Sequence, residues 1–266
     1  RVANCLLGED LGDDTLIIGT SGRYEFKNKG IDVFLESLNR LNRDKDLKKK
    51  VLAFVNVPSW VGDPREDLQK RLKSKDKFTE PLQCPFITHW LHNMTHDQVL
   101  DMLKYLGMGN RPEDKVKVIF VPCYQDGHDG ILNKHYYDLI LGEDLSVYPS
   151  YYEPWGYTPL ESVAFRVPTI TTDLAGFGLW VNSLKNQHGI NDGVEVLHRS
   201  DYNYSEVADG IKDTVALFST KTEAEIKEIR KRAGQVAEQA LWKHFIQYYY
   251  EAYDIALRNA MKRQLK

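Results

Sequence analysis

The chain has 266 residues, 42% hydrophobic and 27% charged, with a formal net charge of −3, enough for one large core or two small ones. That mild balance leaves no basic footprint for nucleic acid or anionic lipid, and no apolar run approaches a membrane span. The three scattered cysteines, Cys5, Cys84 and Cys123, argue for reduced thiols in a cytoplasmic protein rather than a disulfide framework, and the opening Arg1, with no leader pattern, admits processing, trimming or a piece of a longer chain.

The run "TLIIGT" (15–20) is short, apolar and β-branched, so a buried strand. Ile31, Phe34, Leu35, Leu38 and Leu41 then recur on one helical face. "KVLAFVNV" (50–57) is the next strand. Residues 64–75 are expected as a charged, solvated helix and 76–93 as irregular chain. Thr95 with Gln98 makes a capping box for a helix to about 106, so 58–110 is a partly helical insertion. Strand "VKVIFV" (116–121), a helix over 134–141, strand "LSVYP" (145–149) and a helix from Thr158 follow. Strands "PTITT" (168–172) and "GVEVLH" (193–198), a helix near 203–218 and a long helical segment 222–263 close the chain. The aromatic run Phe245 to Tyr253 is expected as a buried face of that segment, with docking to another domain as the alternative.

Strand and helix alternate with short connections, so the fold class is α/β: a Rossmann-like, doubly wound parallel sheet spanning 1–266 as one domain. Such sheets bind ligands at the carboxyl ends of their strands. Two strand-to-helix connections there carry chemistry. In "SYYEPWGYTPLES", Thr158 suits the N-cap, Pro159 the first helical position and Glu161 the capping-box carboxylate. Gly156, Tyr157 and Thr158 then form a phosphate cradle at a helix N-terminus, with Glu153 at the strand's mouth. A bare capping role for Glu161 and a solvated loop acid at Glu153 are the plain alternatives. In "GTSGRYEFKNKGID", Arg23 and Lys29 supply cations for a diphosphate. His89, His92 and His96 have ligand-like spacing, but no acid or cysteine completes a set, so no metal is expected.

The segments "GRYEFKNKGIDVFLESLNRLN", "ILNKHYYDL" and "PSYYEPWGYTPLESVAFRVPTITTDLAGFG" resemble the C-terminal half of animal- and fungal-type glycogen synthases, glycosyltransferase family 3. The match is most specific over 148–178 and weaker over about 15 to 245. The resemblance implies the nucleotide-sugar domain of a GT-B enzyme whose N-terminal domain lies outside this chain, leaving the chain alone inactive. It implies retaining transfer of glucose from UDP-glucose to the non-reducing end of an α-1,4-glucan, without metal or other cofactor. ADP-glucose or another acceptor is the second reading, and a nucleotide-sugar- or glucan-binding module without turnover the third. By position, Arg23 and Lys29 match the diphosphate grip. Gly156, Tyr157 and Thr158 match the phosphate-binding helix start. Glu153 and Glu161 match the two glutamates of the E-x7-E motif, beside the donor glucose and the ribose. Tyr136 matches an aromatic that stacks on the base, with Tyr137 as the alternative. The family's glucose 6-phosphate-sensing arginine helix corresponds to "EIRKRAGQVAEQALW", where Arg230 and Arg232 remain as regulatory candidates but Gln235 and Val236 stand where charge is expected. The insertion is shorter than the one through which eukaryotic members tetramerise, which leaves a homo-oligomer open and fits a bacterial relative.

Overall fold

The structure, a computed structural model, describes residues 1–185 and 187–264. After a short helix α1 (Val2–Leu7), strand β1 (Leu16–Ser21) leads through α2 (Ile31–Asn42) to β2 (Val51–Asn56). An excursion carries β3 (Val61–Pro64), α3 (Glu66–Lys73), β4 (His89–Leu91) and α4 (Gln98–Leu106) before the chain re-enters the sheet as β5 (Val116–Val121). Next come α5 (Tyr136–Ile140), β6 (Leu145–Val147), α6 (Tyr157–Ala164), β7 (Thr169–Thr172), α7 (Gly176–Asn182) and a 3-10 turn (Ile190–Asp192). Strand β8 (Val194–Leu197) and helices α8 (Tyr204–Phe218), α9 (Glu223–Gln239) and α10 (Trp242–Gln264) complete it.

Six strands form one sheet in the order β5-β2-β1-β6-β7-β8, every neighbouring pair parallel. This is the expected doubly wound α/β sheet. Its central strands are β-branched and apolar because both faces are covered: β5 is buried throughout, and β2 at five of its six positions. The winding starts at β1, runs outward to β5, and resumes at β6 on the other side. The order therefore reverses between β1 and β6, and a crevice opens above their carboxyl ends.

The excursion differs from expectation. Residues 89–91, expected as irregular chain, pair antiparallel with β3. Residues 64–75, expected as solvated, contain Arg65, which is 0% exposed. Its guanidinium donates to the carbonyls of Gln83 and Cys84 at 2.7 and 2.8 Å, pairs with Asp67 at 2.7 Å and lies 4.4 Å from the Trp90 ring. A long cation that satisfies this many carbonyls is tolerated inside, and here it knits the excursion together. Helix α4 is capped by Asp97, which accepts from the amides of Val99 and Leu100, whereas Thr95 turns to Asn93. The long 222–263 segment is two helices, broken at 240–241. Phe245 anchors the second, packing at 5.4 and 5.3 Å against Trp155 and Trp180. Beyond it Tyr248, Tyr249, Tyr250 and Tyr253 are exposed rather than buried, because the helix runs past the body of the chain.

Candidate functional site

Both loops that the sequence singles out flank the switch point: 22–30 follows β1, and 148–156 follows β6. They are joined where the amide of Tyr151 donates to the carbonyl of Asn28 at 2.7 Å. Gly30, the N-cap of α2, has φ 69°, and a Cβ there would run into the Pro149 carbonyl of the other loop. Only glycine permits this approach. The second loop is tied from beneath. The hydroxyl of Thr172 donates to the carbonyl of Ser150 at 2.7 Å, and Glu153 bridges to Ala175 through its amide to Leu174 and its carbonyl from Gly176.

Lys29 and Glu153, 124 positions apart, meet here as an ion pair, each side chain about one-sixth exposed. Helix α6 begins beside them. Its N-cap is Gly156 at φ 103°, and no side chain caps it. Since the first amides of a helix have no partner within it, this end presents free N–H groups and a partial positive charge. Thr158 is not the N-cap and Glu161 closes no capping box. The helix starts earlier than the sequence signal, which places Glu161 out of reach of the N-cap amide. Glu161 instead accepts from the hydroxyl of Tyr137 at 3.1 Å.

Arg23 is three-quarters exposed and paired with Glu25 at 2.8 Å, while Lys29 is paired with Glu153. A pair this exposed is worth about 0–1 kcal/mol, a small barrier to an incoming diphosphate. The two aromatic candidates are distinct. Tyr136 is half-buried, with its hydroxyl in a 2.7 Å hydrogen bond with Ser21, and burial pushes that phenol far up. Tyr137 is about half exposed and sits in a row between Tyr136 and Phe165, 5.5 and 5.1 Å away.

Sequence reasoning missed a chain of buried hydroxyls under this site. Ser21 at the end of β1 bonds Tyr136 and also meets Tyr148 at 3.4 Å. Tyr148, after β6, shares a 2.8 Å bond with Ser162 of α6, and burial raises its phenol to about 12. The available signal was a serine and a tyrosine at positions facing an apolar sheet, where a lone hydroxyl needs a partner.

The three expected non-ligand histidines do not converge. His92 and His96 are exposed, and His89 is buried. Contrary to the expectation that no acid or cysteine completes a set, among the described residues His89 clusters with Cys123 and Asp129, which lie far from it in sequence. That set is spent internally: the Asp129 carboxylate caps the amides of Ile131, Leu132 and Asn133, and burial raises the Cys123 thiol to about 12. At the other end of the strands, before β6 and β8, Arg230 donates to the carbonyl of Glu143 at 3.0 Å, and Arg232 pairs with Asp192 at 2.8 Å. Arg230 and Lys231 line a cavity of about 1210 Å³ in which Asp13, Asp14, Asp144, Glu223 and Glu228 oppose the cations.

The glycogen synthase family model matches residues 7–63 and 63–266. A glycogen [starch] synthase of Neurospora crassa is 28% identical over 93% of this chain and 42% of its own length. Isoform 2 of the Saccharomyces cerevisiae enzyme is 29% identical over 96% and 44%. The chain thus spans less than half the length of these relatives. Among solved structures, WaaG, a glycosyltransferase involved in lipopolysaccharide biosynthesis, aligns over 86% of this chain and 44% of its own at 14% identity, with a TM-score of 0.48.

Proposed function

The chain belongs to the glycogen synthase family, and on that premise we propose that it is the donor-binding half of a retaining glucosyltransferase. The donor is UDP-glucose and the acceptor the non-reducing end of an α-1,4-glucan. The observation that carries this reading is the meeting of Lys29 with Glu153 beside the uncapped start of α6, at the switch point of the sheet.

When the C1–O bond of the donor breaks, negative charge collects on the β-phosphate and positive charge on the sugar. The amides of Gly156, Tyr157 and Thr158, with Lys29 and Arg23, face the first charge, and fixed donors aimed at developing charge are the strongest single catalytic device. They do the leaving-group work that a divalent cation does elsewhere, so the transfer needs no metal. Glu153 faces the second charge, with Lys29 holding it in place until the donor arrives. Glu161 takes the ribose, oriented by Tyr137, and Tyr136 or Tyr137 lies under the uracil. A second Rossmann-like domain closes over the crevice in a GT-B arrangement, and the exposed tyrosines of α10 suit a seat for it. Cytoplasmic work fits the three free cysteines, and among the described residues no helix is long and apolar enough to cross a membrane.

Calorimetric titration with UDP and ADP tests this reading. UDP should bind more tightly than ADP, and Lys29→Met should weaken UDP at least tenfold. Failure of UDP to bind, or tighter binding of ADP, overturns it.

A further inference from the structure

A second cavity, of about 400 Å³, opens on the outer flank of the seam between the two site loops. Its walls are the start of α2, the loop after β6 and the 198–203 connection into α8. Arg199 forms its floor and is only 6% exposed. One nitrogen, Nη1, donates to the Pro149 carbonyl; among the described residues Nε and Nη2 have no hydrogen-bond partner. The guanidinium stacks 5.4 Å from the Tyr151 ring. These donors are not sealed off from solvent; they lie at the cavity lining, where water or a ligand can meet them.

Asp32 faces the same space. Its carboxylate accepts only the amide of the next residue, Val33, and no cation lies within ion-pair distance of it among the described residues. Burial raises its pKa and lowers that of Arg199, so both groups are desolvated, and they do not pair with each other. The gap between them calls for a ligand that both donates and accepts.

The rest of the lining narrows the class. Tyr151 and Tyr204 are each a little over one-third exposed and offer ring faces. Asn28 and Ser200 add neutral polar groups, and Lys27 is offset by Asp201. An anion would meet Asp32, a cation would meet Arg199, and an apolar ligand would leave both unpaired. An uncharged polyol satisfies all three constraints, because its hydroxyls donate to the carboxylate and accept from the guanidinium while its C–H faces lie on tyrosine rings. Asn28 is next to Lys29, and Tyr151 is two residues from Glu153. We infer that this cavity is an oligosaccharide subsite, holding sugar units of the acceptor glucan beside the point of transfer, with Arg199 and Asp32 as its recognition pair.

The inference rests on the proposed transferase reading, and the test separates the two. Maltopentaose is titrated into the chain and followed by saturation-transfer NMR and calorimetry, with UDP titrated in parallel. Maltopentaose should bind, and both Asp32→Asn and Tyr204→Ala should weaken it about tenfold or more while UDP affinity stays unchanged. Asp32→Asn preserves shape and Tyr204 lies at the surface, so neither test depends on the more disruptive Arg199→Gln. Absence of maltopentaose binding, binding equal in wild type and variants, or displacement by inorganic phosphate overturns the subsite, whatever UDP does. Loss of UDP binding alone overturns the donor reading and leaves the subsite standing.

Discussion

Helices α6 and α9 are announced by the same pattern, a threonine followed three residues later by glutamate: Thr158–Glu161 and Thr222–Glu225. In α9 the pattern closes as written. The amide of Glu225 donates to the Thr222 hydroxyl at 3.3 Å, and the amide of Thr222 donates to the Glu225 carboxylate at 2.8 Å. In α6 it stays open: Gly156 is the N-cap, no side chain reaches the first turn, and Glu161 is bonded to Tyr137. A scaffold helix meets its own orphan amides. Helix α6, which starts at the crevice, leaves them without a side-chain cap and forgoes about 1 kcal/mol of capping. The pattern is therefore a statement about what the residues can do, and the neighbours decide which use is made of them.

The largest effect should come from the crevice side of this contrast. Glu153→Gln in the enzyme should lower turnover about 10²–10³-fold, the scale seen when a group that stabilises transition-state charge is removed, while UDP affinity is nearly unchanged, since the interaction is made only as charge develops. Turnover within a factor of a few of wild type would break the comparison at its functional end.

Next in size is a pH effect at Glu143, which lies between the two helices. Its carbonyl accepts Arg230 of α9, and its carboxylate accepts the hydroxyl of Ser146 on the strand leading to α6. Complete burial raises its pKa from 4.5 to about 8. Between those values the folded chain keeps a proton that the unfolded chain has released, so this group lowers stability as pH rises across the window, by about 1 kcal/mol per unit. Denaturant melts of wild type and Glu143→Gln from pH 5 to 9 should show the variant losing less stability over that range. Parallel curves would mean that the carboxyl is ionised inside the fold.

The paired threonines and Glu161 give smaller, sharper tests. Glu161→Gln should raise the donor KM about tenfold with Tm unchanged, because the proposed contact with the ribose is one a bound donor makes in the ground state. Thr222→Ala should cost about 1 kcal/mol of stability, read as a drop in Tm. Thr158→Ala should leave Tm within error and UDP affinity nearly unchanged, because the amide that faces the phosphate is kept. A drop in Tm for Thr158→Ala as large as that for Thr222→Ala would show that α6 is capped like any scaffold helix.

The smallest expected effect is at α9. Arg230 and Arg232 are spent on Glu143 and Asp192, and the nearby cavity sets five acids against five cations, with no net positive charge to draw an anion. Glucose 6-phosphate should therefore change the rate of the enzyme little. A large activation would show that these pairs open to an anion.

The sheet strands are legible in the sequence to within a residue or two, because most of them are short, β-branched runs buried on both faces; β8, fully buried only at Val194, is the exception. The sequence by itself also determined the α/β alternation and the two loops that matter, since glycine, a helix-start signal and charge coincide there. The fold around Lys29 and Glu153 was legible as two separate loops. That they touch follows from the packed fold, because strand order is set by which β-branched faces pack together, and 124 positions of chain separate the pair. The tertiary structure likewise decided that Thr158 does not cap, that Arg65 is buried, and that Arg199 and Asp32 share a cavity. These are choices between partners of similar chemistry, each worth about 1 kcal/mol in the chain alone, and they are settled by which groups the packed core leaves within reach.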